Sequence, residues 1–198
     1  MAVADDTLLV TRCLGHRLTE TDADVFHRVV IIDVQEGFRP VIDAFDDVVR
    51  NIGILAEGFG ILGRPVIVSE QYPKGLGHTV PELEERLPAF TEKIEKLRFS
   101  AAGVPAFDEA VRRARCTSWV VCGIETHVCV NQTVHDLLER GYDVHVADDA
   151  VSSRTPSNRR IGMEKMLASG AHATSAEMAL FEMVEQAGGD EFKAISKL

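Results

Sequence analysis

The fold class that this sequence predicts is α/β, a three-layer αβα sandwich on a mostly parallel, Rossmann-like sheet, and three observations predict it. Short apolar runs rich in β-branched residues recur along the chain. Between them lie segments whose apolar residues step by three and four. The best-defined run, residues 29–34, is apolar at successive positions instead of alternating with polar ones. A strand with two apolar faces is covered on both, as a parallel strand is between two helical layers.

Residues 29–34 form the first such run, interrupted only by Asp33. From 44 to 62, Phe45, Val48, Val49, Ile52, Leu55, Ala56 and Phe59 fall on one helical stripe, and Gly63 supplies a stop. Residues 65–68 read as the second strand. The stretch 70–78, EQYPKGLGH, reads as a turn-rich loop of the kind that carries function. A mixed polar segment follows and is assigned no element. The alternation resumes with a helix near 106–114, a strand at 119–123 and a helix from about 127 to 140 closed by Gly141. A strand at 144–147, a helix around 158–169, a short strand at 171–174 and a terminal helix from about 176 complete it. Right-handed crossovers then put helices on both faces, and chemistry belongs beyond the carboxyl ends of the strands.

With 198 residues, the chain is read as one domain, 1–198, large enough to fold without disulfide or metal staples. Its 21 Lys and Arg against 31 Asp and Glu leave a net charge of −10. That field opposes nucleic acid and anionic membrane as partners. No apolar run approaches the roughly 20 residues that cross a bilayer. The N-terminus lacks a basic region followed by an apolar one, and Cys13, Cys116, Cys122 and Cys129 show no CxxC spacing. A cytoplasmic protein with free thiols is therefore expected. No glycine-rich phosphate cradle occurs, so no nucleotide cofactor is expected.

Three residues at strand ends can carry chemistry. Asp33 lies inside an apolar run, where a charge is costly without a partner; it either caps the next turn or acts as a base. Cys129 follows the strand at 119–123 in the first turn of a helix. Unpaired N–H groups and the helix dipole there lower a thiol's pKa and hold a developing oxyanion; the alternative is a small buried hydrophobe. Lys96 sits in a dense charged run that reads by itself as a solvated face. A carboxylate, a cation and a thiol together would supply base, stabiliser and nucleophile for acyl transfer. Elsewhere, Gln35 and Glu36 read as turn and surface residues, His127 as a helix-terminal or interface residue and Trp119 as core. Asp43, Asp46 and Asp47 read as a solvated helix start.

On these residues the chain resembles the isochorismatase-like cysteine hydrolase superfamily, which includes nicotinamidases and N-carbamoyl amidohydrolases. It is most similar to the isochorismatase domain-containing subgroup. Four stretches carry the resemblance: Asp33-Val34-Gln35-Glu36, residues 96–100, residues 123–133, and residues 147–154, ADDAVSSR. The match is collinear from residue 29 onward, with residues 1–28 as a weakly matched N-terminal extension. The resemblance implies Asp33 as general base, Lys96 as the orienting and stabilising cation and Cys129 as nucleophile. It also implies a cis peptide at Ile124–Glu125, whose backbone N–H groups hold the oxyanion alongside that of Cys129. Gln71, Tyr72 and Glu125 are read as substrate contacts beside this site, with His78 a further pocket-lining residue from the loop; Phe38 is read as a substrate-contacting pocket wall or as plain core.

The implied activity is cofactor-independent hydrolysis of a non-peptide, amide-type C–N bond in a small molecule, through a thioester, in a homo-oligomer whose neighbouring subunits close the pocket. Two departures narrow this. Ser69-Glu70-Gln71-Tyr72-Pro73 stands where nicotinamidases carry an Asp-x-His metal site, so no metal is expected. Glu125 stands where nicotinamidases often have a small residue, which argues against nicotinamide as substrate. True isochorismatases lack the cysteine, so Cys129 favours acyl transfer over their vinyl-ether chemistry. The competing readings are a catalytically weak member that binds a small molecule or a protein, and a redox-sensing Cys129, against which the spacing offers no resolving cysteine.

Overall fold

The computed structural model describes residues 28–114, 117–184 and 186–198. The expectations for Cys13, Cys116 and the N-terminal extension fall outside these residues.

The fold is the predicted sandwich. Strand β1 (Arg28–Ile32) leads through a single 3-10 turn (Glu36–Phe38) to helix α1 (Phe45–Ile61), then β2 (Val66–Gln71). Short helices α2 (Pro73–Leu76) and α3 (Pro81–Glu84) precede β3 (Glu92–Lys96) and α4 (Pro105–Ala114). Then come β4 (Ser118–Ile124), a π-helical turn (Thr126–Val130) continuing into α5 (Asn131–Glu139), and β5 (Asp143–Ser152). Helix α6 (Pro156–Ala168), β6 (His172–Thr174), α7 (Ala176–Val184) and α8 (Asp190–Ile195) complete the order. The strands form one sheet in the order β3-β2-β1-β4-β5-β6, every pairing parallel. The chain builds outward from β1 to one edge and restarts beside it at β4. The topological switch point therefore lies between β1 and β4, where ligands bind in such sheets.

Alternate residues of the strands feed two cores. Val29, Ile31, Val66, Val68 and Val120 face α1, α7 and α8 through Ile52, Phe59, Leu180 and Ile195. Val30, Ile32, Ile67, Trp119 and Val121 face α4, α5 and α6 through Phe107, Leu137 and Met166. Trp119 is core, as expected. Gly63 ends α1 at φ 62° with its amide on Gly60 O at 3.1 Å, where only a residue without Cβ is at ease.

Several boundaries differ from the sequence reading. The expected loop at 70–78 is strand as far as Gln71, then the turn of α2. The unassigned polar segment contains β3, whose sequence EKIEK holds one apolar residue because it is an edge strand with one open flank. Strand β5 runs longer than expected, and α8 follows the expected terminal helix. No helix among the described residues is long and apolar enough to cross a membrane.

Candidate active site

The chain leaves β1 at Asp33 with φ 53°, a left-handed conformation that aspartate tolerates better than branched residues. Its amide donates to Ser69 O at 3.0 Å, and Ser69 Oγ donates to Asp33 Oδ1 at 2.7 Å. Both residues are fully buried. Lys96, the last residue of β3, reaches past β2 and donates from Nζ to Asp33 Oδ2 at 2.6 Å. The ion pair exposes no side-chain surface on either partner. Nζ also faces Gln71 Oε1 at 2.7 Å, Phe99 O at 2.8 Å and Arg98 O at 3.2 Å. A buried ammonium is tolerable only with acceptors of this kind around it. The solvated-face reading of this run is thus corrected at Lys96: the two-residue period of β3 turns Ile94 and Lys96 inward and leaves Lys93 and Glu95 exposed.

Cys129 lies in the π-helical turn just beyond β4 and is 5% exposed. The turn follows a cis peptide between Ile124 and Glu125. The amides of Val128 and Val130 donate to Glu125 O at 3.0 and 3.3 Å, and Thr133 Oγ1 donates to Cys129 O at 2.7 Å. The charges of Asp33 and Lys96 both bear on the Cys129 thiol, Asp33 disfavouring and Lys96 favouring the thiolate. The ends of β1, β3 and β4 therefore bring the three candidate residues together.

The expected lowering of the thiol pKa is corrected. Burial first, then the negative charge of Asp33, pushes it up to about 12, while Lys96 pulls the other way. The Asp33 carboxyl is also raised, chiefly by burial, against the opposing pull of Lys96 and Ser69. The helix-terminal effect is outweighed because desolvation penalises the thiolate more than a few backbone dipoles favour it. A thiol held neutral beside a carboxylate of raised proton affinity is a donor facing a base. The Cys122 thiol is also raised by burial, and its Sγ donates to Val30 O at 3.7 Å inside the core.

The four expected substrate contacts divide. Tyr72, half exposed, lines a cleft of about 350 Å³ with Pro73, Lys74, Glu95, Lys96 and Leu97. Phe38 is half-buried against the core. The Gln71 carboxamide faces Lys96 through Oε1 and Leu97 O through Nε2, the latter at 2.9 Å. Glu125 is paired within the protein. Its buried carboxylate accepts from Arg154 Nε at 3.0 Å, Arg154 Nη2 at 2.9 Å and the Arg154 amide at 3.2 Å. A buried carboxylate requires such donors, and the protein supplies them itself. His78 lines a separate cleft, with Nδ1 2.9 Å from Glu70 Oε2. His127 Nδ1 lies 3.1 Å from Ser153 Oγ.

Ser69, Gln35 and Arg154 were not singled out from the sequence as site residues. Gln35, expected at the surface, is fully buried. A serine ending an apolar strand run was the available signal for Ser69, and an amide two residues after Asp33 the signal for Gln35.

An isochorismatase domain matches residues 28–178 of the chain. Among curated proteins it is 41% identical over 172 residues to the secreted isochorismatase effector Isc1 of Phytophthora sojae, covering 85% of this chain and 81% of that one. It is 39% identical to isochorismatase domain-containing protein 2 of Danio rerio, covering 86% and 85%. Among solved structures it matches the MAR1 ribonuclease of Caenorhabditis elegans at 38% identity and a TM-score of 0.84, covering 88% and 89%. It also matches YcaC from Pseudomonas aeruginosa, solved with hexane-2,5-diol and covalent acrylamide, at 26% identity and a TM-score of 0.79, covering 87% and 88%.

Proposed function

Because the chain belongs to the isochorismatase family, within its isochorismatase domain-containing subgroup, and family membership supports a hydrolase, we propose that it is a cofactor-independent cysteine hydrolase that cleaves an amide-type C–N bond of a small molecule. One observation carries this reading: a fully buried Asp33–Lys96 ion pair, 2.6 Å apart, whose charges bear on the thiol of Cys129 beyond β4. Asp33 takes the thiol proton as Cys129 Sγ attacks the carbonyl carbon. Backbone N–H groups of the turn that starts at Glu125 hold the oxyanion, as preorganised dipoles do without reorganisation. Asp33 returns its proton to the leaving amine, and the thioester remains on Cys129. Water, deprotonated by the same carboxylate, then releases the acid and regenerates the thiol.

The covalent acrylamide on the Pseudomonas YcaC protein supports a nucleophile in a fold of this kind, since acrylamide is an electrophile. Ribonuclease is the activity named for the C. elegans neighbour; the net charge of −10 and the thiol at the centre of the site favour a small neutral amide over RNA. We further propose a homo-oligomer in the cytoplasm. Leu97 and Phe99, next to Lys96 along the chain and 76% and 53% exposed, form an apolar rim suited to a second copy.

The test is a panel of small primary amides and N-carbamoyl compounds, read by ammonia release and by mass spectrometry of the quenched protein. Turnover with an acyl adduct on Cys129, lost in Cys129→Ser and Asp33→Asn, is expected. Ammonia release that survives Cys129→Ser, or RNA cleavage in its place, overturns the reading.

A further inference from the structure

Resting on the hydrolase reading above, we infer that Gln71, held by Gln35, is a positioning residue that aims the Lys96 ammonium at Asp33 and Cys129. Lys96 Nζ has three hydrogens and four oxygens around it: Asp33 Oδ2, Gln71 Oε1, Arg98 O and Phe99 O. The protein occupies all of its donors, so Lys96 has none left for a substrate and acts through its charge. Its place is then decided by its acceptors. Two are backbone carbonyls of the segment after β3 and one is the catalytic carboxylate. Gln71 Oε1 is the only side-chain acceptor of the four that bears no charge and takes no part in proton transfer.

The orientation of Gln71 is itself determined. A carbonyl can only accept, so Leu97 O, 2.9 Å from Nε2, fixes which end of the carboxamide faces it and turns Oε1 toward Lys96. Gln35 then clamps the Gln71 backbone. Its Oε1 accepts from Gln71 N at 2.7 Å, and its Nε2 donates to Gln71 O at 3.0 Å and to Gly77 O at 2.6 Å. Gln35 is fully buried and lies two residues beyond Asp33, with its amide on Asp33 O at 2.9 Å. The contacts run in a closed ring, Asp33 to Lys96 to Gln71 to Gln35 and back to Asp33, across the ends of β1, β2 and β3. A ring of this kind holds an ammonium on a flexible four-carbon stem in one place.

Iodoacetamide alkylation of Cys129, followed against pH in the full chain, reads the position of Lys96, because that ammonium favours the thiolate. Gln71→Met removes the acceptor and keeps the length of the side chain; Gln71→Ala is the second variant if the first folds poorly, with thermal melting as the check on folding. The midpoint is expected to rise by about half a pH unit, roughly a three-fold loss of thiolate at fixed pH, in the same direction as Lys96→Ala and by less. In a protein already carrying Lys96→Ala, the Gln71 substitution is expected to add nothing, since its effect passes through Lys96. An unmoved midpoint, or an equal shift with and without Lys96, overturns the inference while leaving the hydrolase reading intact. Alkylation indifferent to both Asp33→Asn and Lys96→Ala overturns both.

Discussion

At the scale of single residues, the electrostatics of the site come from burial set against pairing. Burial is the largest influence on the Cys129 thiol, and the Asp33 charge adds to it. Burial therefore favours a neutral thiol at neutral pH, and in the proposed reaction Asp33 serves as a base during the attack more than as a stabiliser of a preformed thiolate. The sign of one variant follows. Asp33→Asn removes a negative charge that disfavours the thiolate, so the alkylation midpoint of Cys129 is expected to fall, while amide turnover is lost for want of a base. Lys96→Ala removes a favouring cation and is expected to raise the midpoint. Below the midpoint the iodoacetamide rate at fixed pH follows the thiolate fraction, so rates from about pH 6 to 11 report both shifts, and a slower rate in Asp33→Asn contradicts the assignment. Glu125 shows the same principle from the acidic side: Arg154, 59% exposed at its side chain, fully engages a carboxylate that is 5% exposed.

At the scale of elements, two glycines set where the turn that carries Cys129 can sit. Gly123 in β4 has φ 116°, and a Cβ there would fall well inside contact distance of the backbone of Ile32 in β1. Gly162 in α6 faces the turn that carries Cys129; a Cβ there would lie 3.0 Å from His127 N and Cα and from Thr126 C. Helix α6 thus packs directly on the backbone at the start of the turn that carries Cys129. Gly162→Ala is expected to cost about 1–3 kcal/mol of stability and to slow Cys129 alkylation by displacing the turn. Gly123→Ala is expected to cost more, because strain at a left-handed position adds to the clash. Urea unfolding of the two variants, with alkylation rates measured below the transition, checks the order; equal costs would contradict it. Strand β3 makes a related point. With Ile94 as its single apolar residue, its identity as a strand rests on its pairing with β2 from Ile67↔Glu92 to Gln71↔Lys96.

At the scale of the whole molecule, the order β3-β2-β1-β4-β5-β6 gathers residues 33, 96 and 129 at the carboxyl-terminal end of the sheet, and the rim beside them, Leu97 and Phe99, is apolar and exposed. Sedimentation is expected to show an oligomer of this chain, and Leu97→Asp with Phe99→Asp is expected to dissociate it by burying charge at the contact. A monomeric parent protein, or an oligomer indifferent to both substitutions, contradicts that face. The sequence by itself determined the layer architecture, because runs such as 29–34 and the stripe from Phe45 to Phe59 carry their periodicity locally. It also marked Asp33 and Cys129 as residues needing explanation, since a charge in an apolar run and a thiol in a first turn are visible one at a time. Only the tertiary structure decided that Lys96 is buried and not solvated, that Gln71 and Glu125 serve other side chains, that Gln35 is interior, and that the Cys129 thiol is raised and not lowered. Each depends on which neighbours share its space and how much water they exclude, and those neighbours lie on other strands, far away in the chain.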